Sequence, residues 1–263
     1  MADRAQILAQ WRWRLERRRT VQDVFVQIAG AARSYCLAAP ADPDAVLDEV
    51  AAAAGASCAA QSVPVSGAKG PPSPISNEPH MPYWAMVWAS GLALAELVLS
   101  RRYEGRGRRA LELGCGLGVT ATAALEAGTR LWVADCFAEA LAFCRYNARR
   151  NTDRAPSTLL ADWRTAAGRR RLARAGSFDL VLASDVLYEP EDVAPLLALV
   201  PELLTPGGVF WLAEPGRATS ARFVAAAAAA GWSVQSASVD RAWPAGAGWA
   251  RVGLHRYTLP REI

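Results

Sequence analysis

One short segment constrains the fold more than any other: an apolar run that passes into three glycines and then into a helical pattern. It spans residues 111–118, LELGCGLG, with glycines Gly114, Gly116 and Gly118. Glycines let the backbone turn tightly and approach a ligand closely, and the helix start predicted near Thr120 presents free N–H groups. The segment therefore predicts a ligand-binding loop at the carboxyl end of a buried strand.

The spacing of these glycines argues against a dinucleotide ligand. A dinucleotide-binding loop has the spacing Gly-x-Gly-x-x-Gly, whose third glycine would stand where this chain has Val119. Glu112 also lies within the strand, where a dinucleotide fold has an apolar residue. A carboxylate at this position suits a ligand that carries an ammonium group.

Acidic residues also end the next two predicted strands. Asp135 ends the strand 130–135, where a carboxylate can accept from both hydroxyls of a ribose. Asp162 and Trp163 follow the strand 157–161 and offer an acceptor and an aromatic wall to an adenine. Because parallel strands end at the same edge of a sheet, these side chains should meet in one crevice. For Asp162 alone, helix capping stays open as an alternative.

Beyond residue 82, short strand patterns alternate with helical ones, which is typical of a parallel sheet wrapped by helices. The predicted strands are 110–114, 130–135, 157–161, 178–184, 208–213, 232–239 and 251–259. The predicted helices are 84–99, 120–127, 138–150, 193–204 and 218–230. No helix separates the last two strands, so they should pair antiparallel. The fold class is therefore α/β, with a doubly wound, mostly parallel sheet of seven strands.

The first 80 residues carry a different pattern. Apolar residues at intervals of three and four predict an amphipathic helix over about 4–38, with a break near Thr20 left open. Asp42-Pro43 predicts the start of a second helix through Ala54. The predicted domains are an N-terminal helical appendage over 1–61, a Pro/Ser/Gly-rich linker over 62–82 and the α/β domain over 83–263.

Composition removes several function classes. The chain has 5 Cys, none in a Cys-x-x-Cys pair, and 2 His, so neither a metal site nor a disulfide framework is expected. The net charge is only +4 and the basic clusters lack interleaved aromatic residues, so no nucleic-acid partner is expected. No apolar run approaches the ~18 residues of a membrane span, and without an apolar leader we expect a cytoplasmic location.

Together, the glycine loop, the acids after the strands and the segment 178–185 resemble a class I, seven-β-strand S-adenosylmethionine-dependent methyltransferase. Three further segments resemble the lysine methyltransferases of the methyltransferase-16 group, in particular those of the electron-transfer-flavoprotein β-subunit: Tyr83–Gly91, Asp185–Tyr188 and Glu214–Arg217. The resemblance covers about residues 82–259. It implies a Rossmann-like fold, an antiparallel last strand and S-adenosylmethionine as cofactor.

The resemblance also implies a set of cofactor-binding residues. The glycines should face the methionine part of the cofactor, and Glu112 its amino group. Asp135 should face the ribose, and Asp162 with Trp163 the adenine. Trp88 should close the pocket. The full set is Trp88, Glu112, Gly114, Gly116, Gly118, Asp135, Asp162, Trp163 and Ser184.

Asp185 and Tyr188 are the predicted catalytic residues. A sulfonium methyl donor is already activated, so the protein has chiefly to align the acceptor and to supply it as a neutral nucleophile. A carboxylate beside a tyrosine can bind an ammonium group and accept a hydrogen bond as that group loses its proton. A turn-capping role for Asp185 stays open. Glu214 is predicted to contact a cationic substrate, or alternatively to stabilise its loop with Arg217.

The predicted function is methyl transfer from S-adenosylmethionine to a nitrogen, and the leading candidate for the acceptor is a protein lysine. One alternative is a small-molecule N- or O-methyltransferase, with the N-terminal helices as a lid. Another is a non-catalytic protein that binds a partner through its N-terminal helix. The expected partner is a protein substrate or a small-molecule amine, and the sequence does not determine the oligomeric state.

Overall fold

The computed structural model describes residues 3–49, 52, 82–242 and 248–260. The helices are α1 Arg4–Glu16, α2 (residues 43–49), α3 Ala89–Ser100, α4 Arg102–Gly105, α5 Val119–Glu126, α6 Ala138–Thr152, α7 Ala166–Arg174, α8 Val193–Leu203 and α9 Ala218–Ala229. The strands are β1 Val21–Val26, β2 Tyr35–Pro40, β3 Arg109–Leu113, β4 Arg130–Asp135, β5 Ser157–Leu160, β6 Phe178–Ser184, β7 Leu204–Glu214, β8 Ser233–Ala242 and β9 Trp249–Thr258. Residues 62–81 of the predicted linker lie outside the described residues.

Seven of the strands form one sheet in the order β5-β4-β3-β6-β7-β9-β8. All pairs are parallel except those of β9, which is antiparallel to both β7 and β8. The predicted α/β fold, with its antiparallel last strand, is confirmed. Strand order reverses at β3, because β4 lies on one side of it and β6 on the other. In open α/β sheets, the crevice at such a reversal is where ligands bind.

The central strand β3 separates two apolar layers. Ala110 belongs to the layer that contains residues of α3 and α5, whereas Leu111 and Leu113 belong to the layer that contains residues of α8. Successive side chains of a strand point to opposite faces, so Glu112 shares the face of Ala110. An acidic side chain is thereby built into the α3 and α5 side of the core. Among the described helices, none has the length and apolar character needed to cross a bilayer.

Two helix predictions need correction. Residues 21–38 are not helical: β1 and β2 form an antiparallel hairpin, and Gly30 in its connection has a φ of +85°. Short apolar runs fit either structure, and here burial against the main domain decides, because Tyr35 and Leu37 are fully buried. The helix predicted from residue 84 begins only at Ala89, after a 3₁₀ turn over Tyr83–Ala85.

The predictions of a first helix from residue 4 and of a second helix that starts at Asp42-Pro43 are confirmed. Helix α1 covers the first part of the predicted 4–38 helix. The Asp42 carboxylate accepts a hydrogen bond from the N–H of Ala45 at 2.9 Å, which confirms it as the N-cap of α2. Residues 50, 51, 53 and 54 of this predicted helix lie outside the described residues.

The N-terminal hairpin packs on the main domain through two asparagines of α6. Asn147 accepts from the N–H of Ala38 at 2.7 Å, and its amide group donates to the Ala38 carbonyl at 2.9 Å. One turn later, Asn151 makes the same pair of bonds with Cys36. The two side chains thus form the hydrogen bonds with backbone N–H and C=O groups of β2 that a neighbouring strand would otherwise form. The division at the linker stays a prediction, but these contacts lead us to expect that residues 3–49 fold together with the sheet.

We predict that Asn147→Leu destabilises the protein strongly. Asn147 is fully buried, so its loss leaves both backbone groups of Ala38 unpaired in the interior. The cost should be about 3 kcal/mol or more. Ala142→Leu, at an exposed position of the same helix, should change stability by less than about 0.5 kcal/mol. Urea unfolding of both variants measures the difference, and equal stabilities would show that the hairpin is not held through Asn147.

Candidate active site

A cavity of about 400 Å³ opens at the carboxyl ends of β3, β4 and β6. All nine residues predicted to bind a cofactor border it: Trp88, Glu112, Gly114, Gly116, Gly118, Asp135, Asp162, Trp163 and Ser184. Tyr188, one of the two predicted catalytic residues, borders it as well. The structure therefore brings together side chains that are up to 100 residues apart in the sequence, while their roles remain predictions.

The glycine loop has a backbone that other residues adopt only with strain. Gly114, Gly116 and Gly118 all have positive φ values, of 69°, 48° and 82°. At Gly118, a Cβ atom would also lie 2.7 Å from the sulfur and 2.9 Å from the Cα of Cys144 on α6. The close packing of the loop against α6 thus requires glycine at this position.

Glu112 is a buried acid at the floor of the cavity. Its side chain is almost completely buried, and its Oε2 meets no hydrogen-bonding partner among the described residues. Burial and the nearby charge of Asp135 raise its pKa well above the usual range, although a hydrogen bond with Thr120 opposes the shift. A cationic group of a ligand would give this carboxylate the partner that it lacks.

Asp135 fastens the end of β4 to the glycine loop. Its Oδ2 accepts a hydrogen bond from the N–H of Gly116 at 3.1 Å, and its Oδ1 accepts one from the N–H of Phe137 at 2.9 Å. The Cys115 sulfur also lies 4.0 Å from Oδ2. An ionised carboxylate only accepts hydrogen bonds, which suits the hydroxyl groups of a ligand. The backbone contacts fix the orientation in which the carboxylate faces the cavity.

Asp162 stands at the wall of the cavity next to Trp163. Its Oδ1 accepts a hydrogen bond from the N–H of Arg164 at 2.9 Å, which holds the turn after β5. The N-cap of α7 is Thr165, whose hydroxyl accepts from the N–H of Gly168 at 3.0 Å. The helix-capping alternative for Asp162 is therefore wrong, and its carboxylate borders the cavity instead.

Asp185 is the predicted site residue whose surroundings differ most from expectation. It is only 3% exposed, and its carboxylate forms an ion pair with Arg217, at the start of α9. Burial raises the pKa of Asp185, and the charge of Arg217 opposes this shift. Ser184 and Val186 border the cavity on either side of it in the chain, but Asp185 does not. The free carboxylate expected from the sequence is thus already paired with a cation.

An aromatic cluster lies beside this ion pair. The Arg217 guanidinium stands 5.2 Å from the centre of the Tyr188 ring, and burial raises the pKa of Tyr188. The Tyr188 ring lies 5.1 Å from that of Tyr83, which in turn contacts Trp88 at 5.9 Å. Sequence reasoning assigned no role to Tyr83, although it lies in the segment Tyr83–Gly91 that carried the resemblance. These rings form one wall of the cavity.

Glu214 lies away from the cavity and does not pair with Arg217. Its Oε2 accepts a hydrogen bond from the N–H of Gly216, and its Oε1 lies 3.2 Å from Nε2 of His255. Burial opposes ionisation, but the hydrogen bonds from His255 and Gly216 lower the pKa of Glu214 below its usual value. The carboxylate therefore holds the loop after β7, through a backbone N–H and not through the arginine considered from the sequence.

Comparison with known proteins agrees with this geometry. Residues 111–210 match the family described as a methyltransferase domain. The chain carries a class I S-adenosylmethionine-dependent methyltransferase domain. The chain is similar to the electron transfer flavoprotein β-subunit lysine methyltransferase of Xenopus laevis, with 31% identity over 144 residues, which are 52% of this chain and 54% of the relative. It is also similar to the histone-arginine methyltransferase METTL23 of Mus musculus, with 27% identity over 136 residues, 50% of this chain and 53% of the relative.

The chain spans about half the length of each of these two relatives. Among solved structures, precorrin-6y C5,15-methyltransferase from Geobacter metallireducens superposes with a TM-score of 0.52. Its identity is 18%, and the match covers 64% of this chain and 89% of that one, so it supports the fold alone.

The site of this methyltransferase domain fits S-adenosylmethionine. The orphaned Oε2 of Glu112 suits the amino group of the methionine part, and Gly114, Gly116 and Gly118 border the same cavity. Asp135 suits the ribose hydroxyls, and Asp162 with Trp163 suits the adenine. S-adenosylmethionine is the cofactor of the domain, and these residues are the ones that would hold it.

We predict that Glu112 makes cofactor binding dependent on pH. Burial raises the pKa of Glu112 in the free protein, and a bound ammonium group would lower that pKa because it stabilises the charged carboxylate. Binding then releases a proton, so affinity for S-adenosylmethionine should increase as the pH rises from acid toward neutral. Glu112→Gln should weaken binding by about 1.5–3 kcal/mol and flatten this dependence.

Titration calorimetry at several pH values measures both effects. Glu202→Gln, at an exposed position of α8, makes the same chemical change outside the cavity and serves as the control. Unaltered affinity and pH dependence in Glu112→Gln would remove Glu112 from the cofactor site.

Proposed function

We propose that this protein transfers a methyl group from S-adenosylmethionine to an amine nitrogen, and that the acceptor is a lysine side chain of a protein. The main support for this proposal is that a buried carboxylate and an aromatic ring lie close together beside the cofactor cavity. Asp185 and Tyr188 together hold a side-chain cation, that of Arg217. A carboxylate and an aromatic ring face both attract an ammonium group in a protein interior.

The charges around the cavity support a cationic acceptor. Glu189 and Glu191 are exposed and border its mouth, so an approaching ammonium group meets negative charge. Opposite charges along an approach path increase the rate of association. A neutral or anionic acceptor gains nothing from these side chains.

The chemistry requires this chain to bind and deprotonate the acceptor. The cofactor supplies an electrophilic methyl group when bound. Asp185 would bind the acceptor ammonium and orient it toward the cavity, as a positioned carboxylate does. Because burial raises the pKa of Asp185, its carboxylate is also a better proton acceptor than an exposed aspartate. Tyr188 would cover the alkyl chain of the acceptor.

The relatives support a protein acceptor in preference to a small molecule. The two relatives named above are described as acting on lysine and on arginine, both cationic side chains of proteins. Lysine is favoured because the segments Tyr83–Gly91, Asp185–Tyr188 and Glu214–Arg217 carried the resemblance to lysine methyltransferases. The cytoplasmic location stays a prediction.

We predict that Asp185→Asn separates methyl transfer from cofactor binding. The change keeps the shape of the side chain and removes its charge, so turnover should fall about 10²-fold or more, while affinity for the cofactor is retained. Tyr188→Phe should have a smaller effect, since only a hydroxyl is lost. Asp240→Asn, on exposed β8, is the matched control and should change neither property.

The assay uses tritiated S-adenosylmethionine and host lysate, separated into protein and small-molecule fractions. Acid hydrolysis of the protein fraction should yield labelled methyl-lysine. Tritium found only in the small-molecule fraction would contradict the proposal that the acceptor is a protein. A fall of cofactor affinity and turnover together in Asp185→Asn would contradict the role given to this residue.

A further inference from the structure

The guanidinium of Arg217 contacts both residues that are proposed to receive the acceptor ammonium, Asp185 and Tyr188. We propose that Arg217 is a built-in occupant of the acceptor site, which an incoming cation displaces, and that it thereby selects cationic acceptors. This inference rests on the proposed function, because it assumes that Asp185 and Tyr188 receive the acceptor. It adds a specificity-determining residue that does not itself take part in the transfer.

The contacts of Arg217 are those expected of an acceptor side chain. Its guanidinium pairs with the Asp185 carboxylate and stands over the face of the Tyr188 ring. Asp185 is 3% exposed, so its charge would lie buried without a partner if the arginine were absent. An unpaired buried charge is costly, so a cation beside this carboxylate stabilises its ionised form.

Arg217 is placed so that it can leave. About one third of its side chain is exposed to solvent. A Cβ added to the preceding residue, Gly216, would meet no described atom within 4 Å, so the space around this turn is open. The backbone itself is held, because the N–H of Gly216 donates to Glu214. In the proposed displacement, the arginine side chain rotates toward water while the backbone of the turn stays in place.

This exchange favours one chemical class of acceptor. An ammonium group that replaces the guanidinium keeps Asp185 paired throughout. A neutral acceptor, such as a phenol or an alcohol, brings no charge and leaves the carboxylate unpaired once Arg217 moves away. The arrangement thus rejects neutral acceptors by the same interaction that admits cationic ones.

The arginine also lowers the affinity for every acceptor. It is tethered beside Asp185, so it competes at the high effective concentration of an intramolecular group. Removing it should make the site easier to enter. A residue that only stabilised the structure would have the opposite effect, because its loss would weaken binding.

The test measures binding of n-butylamine, which carries the ammonium and alkyl chain of lysine, to the full chain saturated with S-adenosylhomocysteine. Calorimetry compares the native protein, Arg217→Ala, Asp185→Asn and Arg222→Ala. Arg222 lies on the same helix at an exposed position, so its variant is matched in charge. We expect Arg217→Ala to bind n-butylamine about tenfold more tightly than the native protein, since an intramolecular competitor is removed. Arg222→Ala should bind it unchanged.

Guanidinium chloride provides a second readout. Added at millimolar concentration, it should fill the vacated position in Arg217→Ala and reduce n-butylamine binding there, with little effect on the native protein. Unchanged or weaker n-butylamine binding in Arg217→Ala overturns the proposal. If Asp185→Asn alone weakens binding, the acceptor role of Asp185 stands and only the role of Arg217 falls. A different result would overturn the proposed function and this inference together. It is that no variant binds n-butylamine and that the tritiated methyl groups in the lysate assay are attached to oxygen atoms.

Discussion

The packing of the glycine loop against α6 is the contact on which the rest of the site depends. Gly118 lies directly on Cys144, and Asn147, one turn further, donates a hydrogen bond to the carbonyl of Leu117 at 2.9 Å. The same asparagine holds the backbone of Ala38 in the N-terminal hairpin. Helix α6 therefore supports the cofactor loop on one side and the hairpin on the other. Through Asn147, the N-terminal hairpin is therefore connected to the glycine loop that borders the cavity.

Two buried carboxylates divide the site into its two functions. Burial raises the pKa of both Glu112 and Asp185, so each favours a cation as neighbour. One oxygen of Glu112 is without a hydrogen-bonding partner among the described residues, which suits the amino group of the cofactor. Asp185 already holds Arg217, which suits a position whose occupant is exchanged during use. Because Glu112 and Asp185 have different partners, we assign Glu112 to the part of the site that binds the methyl donor and Asp185 to the part that binds the methyl acceptor.

Local patterns were enough to predict the sheet and the residues that border the cavity. The glycine loop and the strand-ending acids are read from neighbouring residues, and topology alone brings them together. The hairpin could not be predicted in this way, because burial against distant α6 decides its structure. Helix α7 was missed since Leu172 is its one buried large apolar side chain in an Arg-rich segment. The partner of Asp185 stands 32 residues further along the chain, where no local pattern indicates it.

The cavity at the ends of β3, β4 and β6 is the proposed binding site of S-adenosylmethionine. Hydrogen exchange with and without S-adenosylhomocysteine tests it most directly, because amides covered or ordered by a ligand exchange more slowly. Binding in this cavity should slow exchange in residues 114–119 and 162–165 and leave exchange in β8 unchanged. Exchange that is unaltered in the glycine loop, or slowed only elsewhere in the chain, would contradict it.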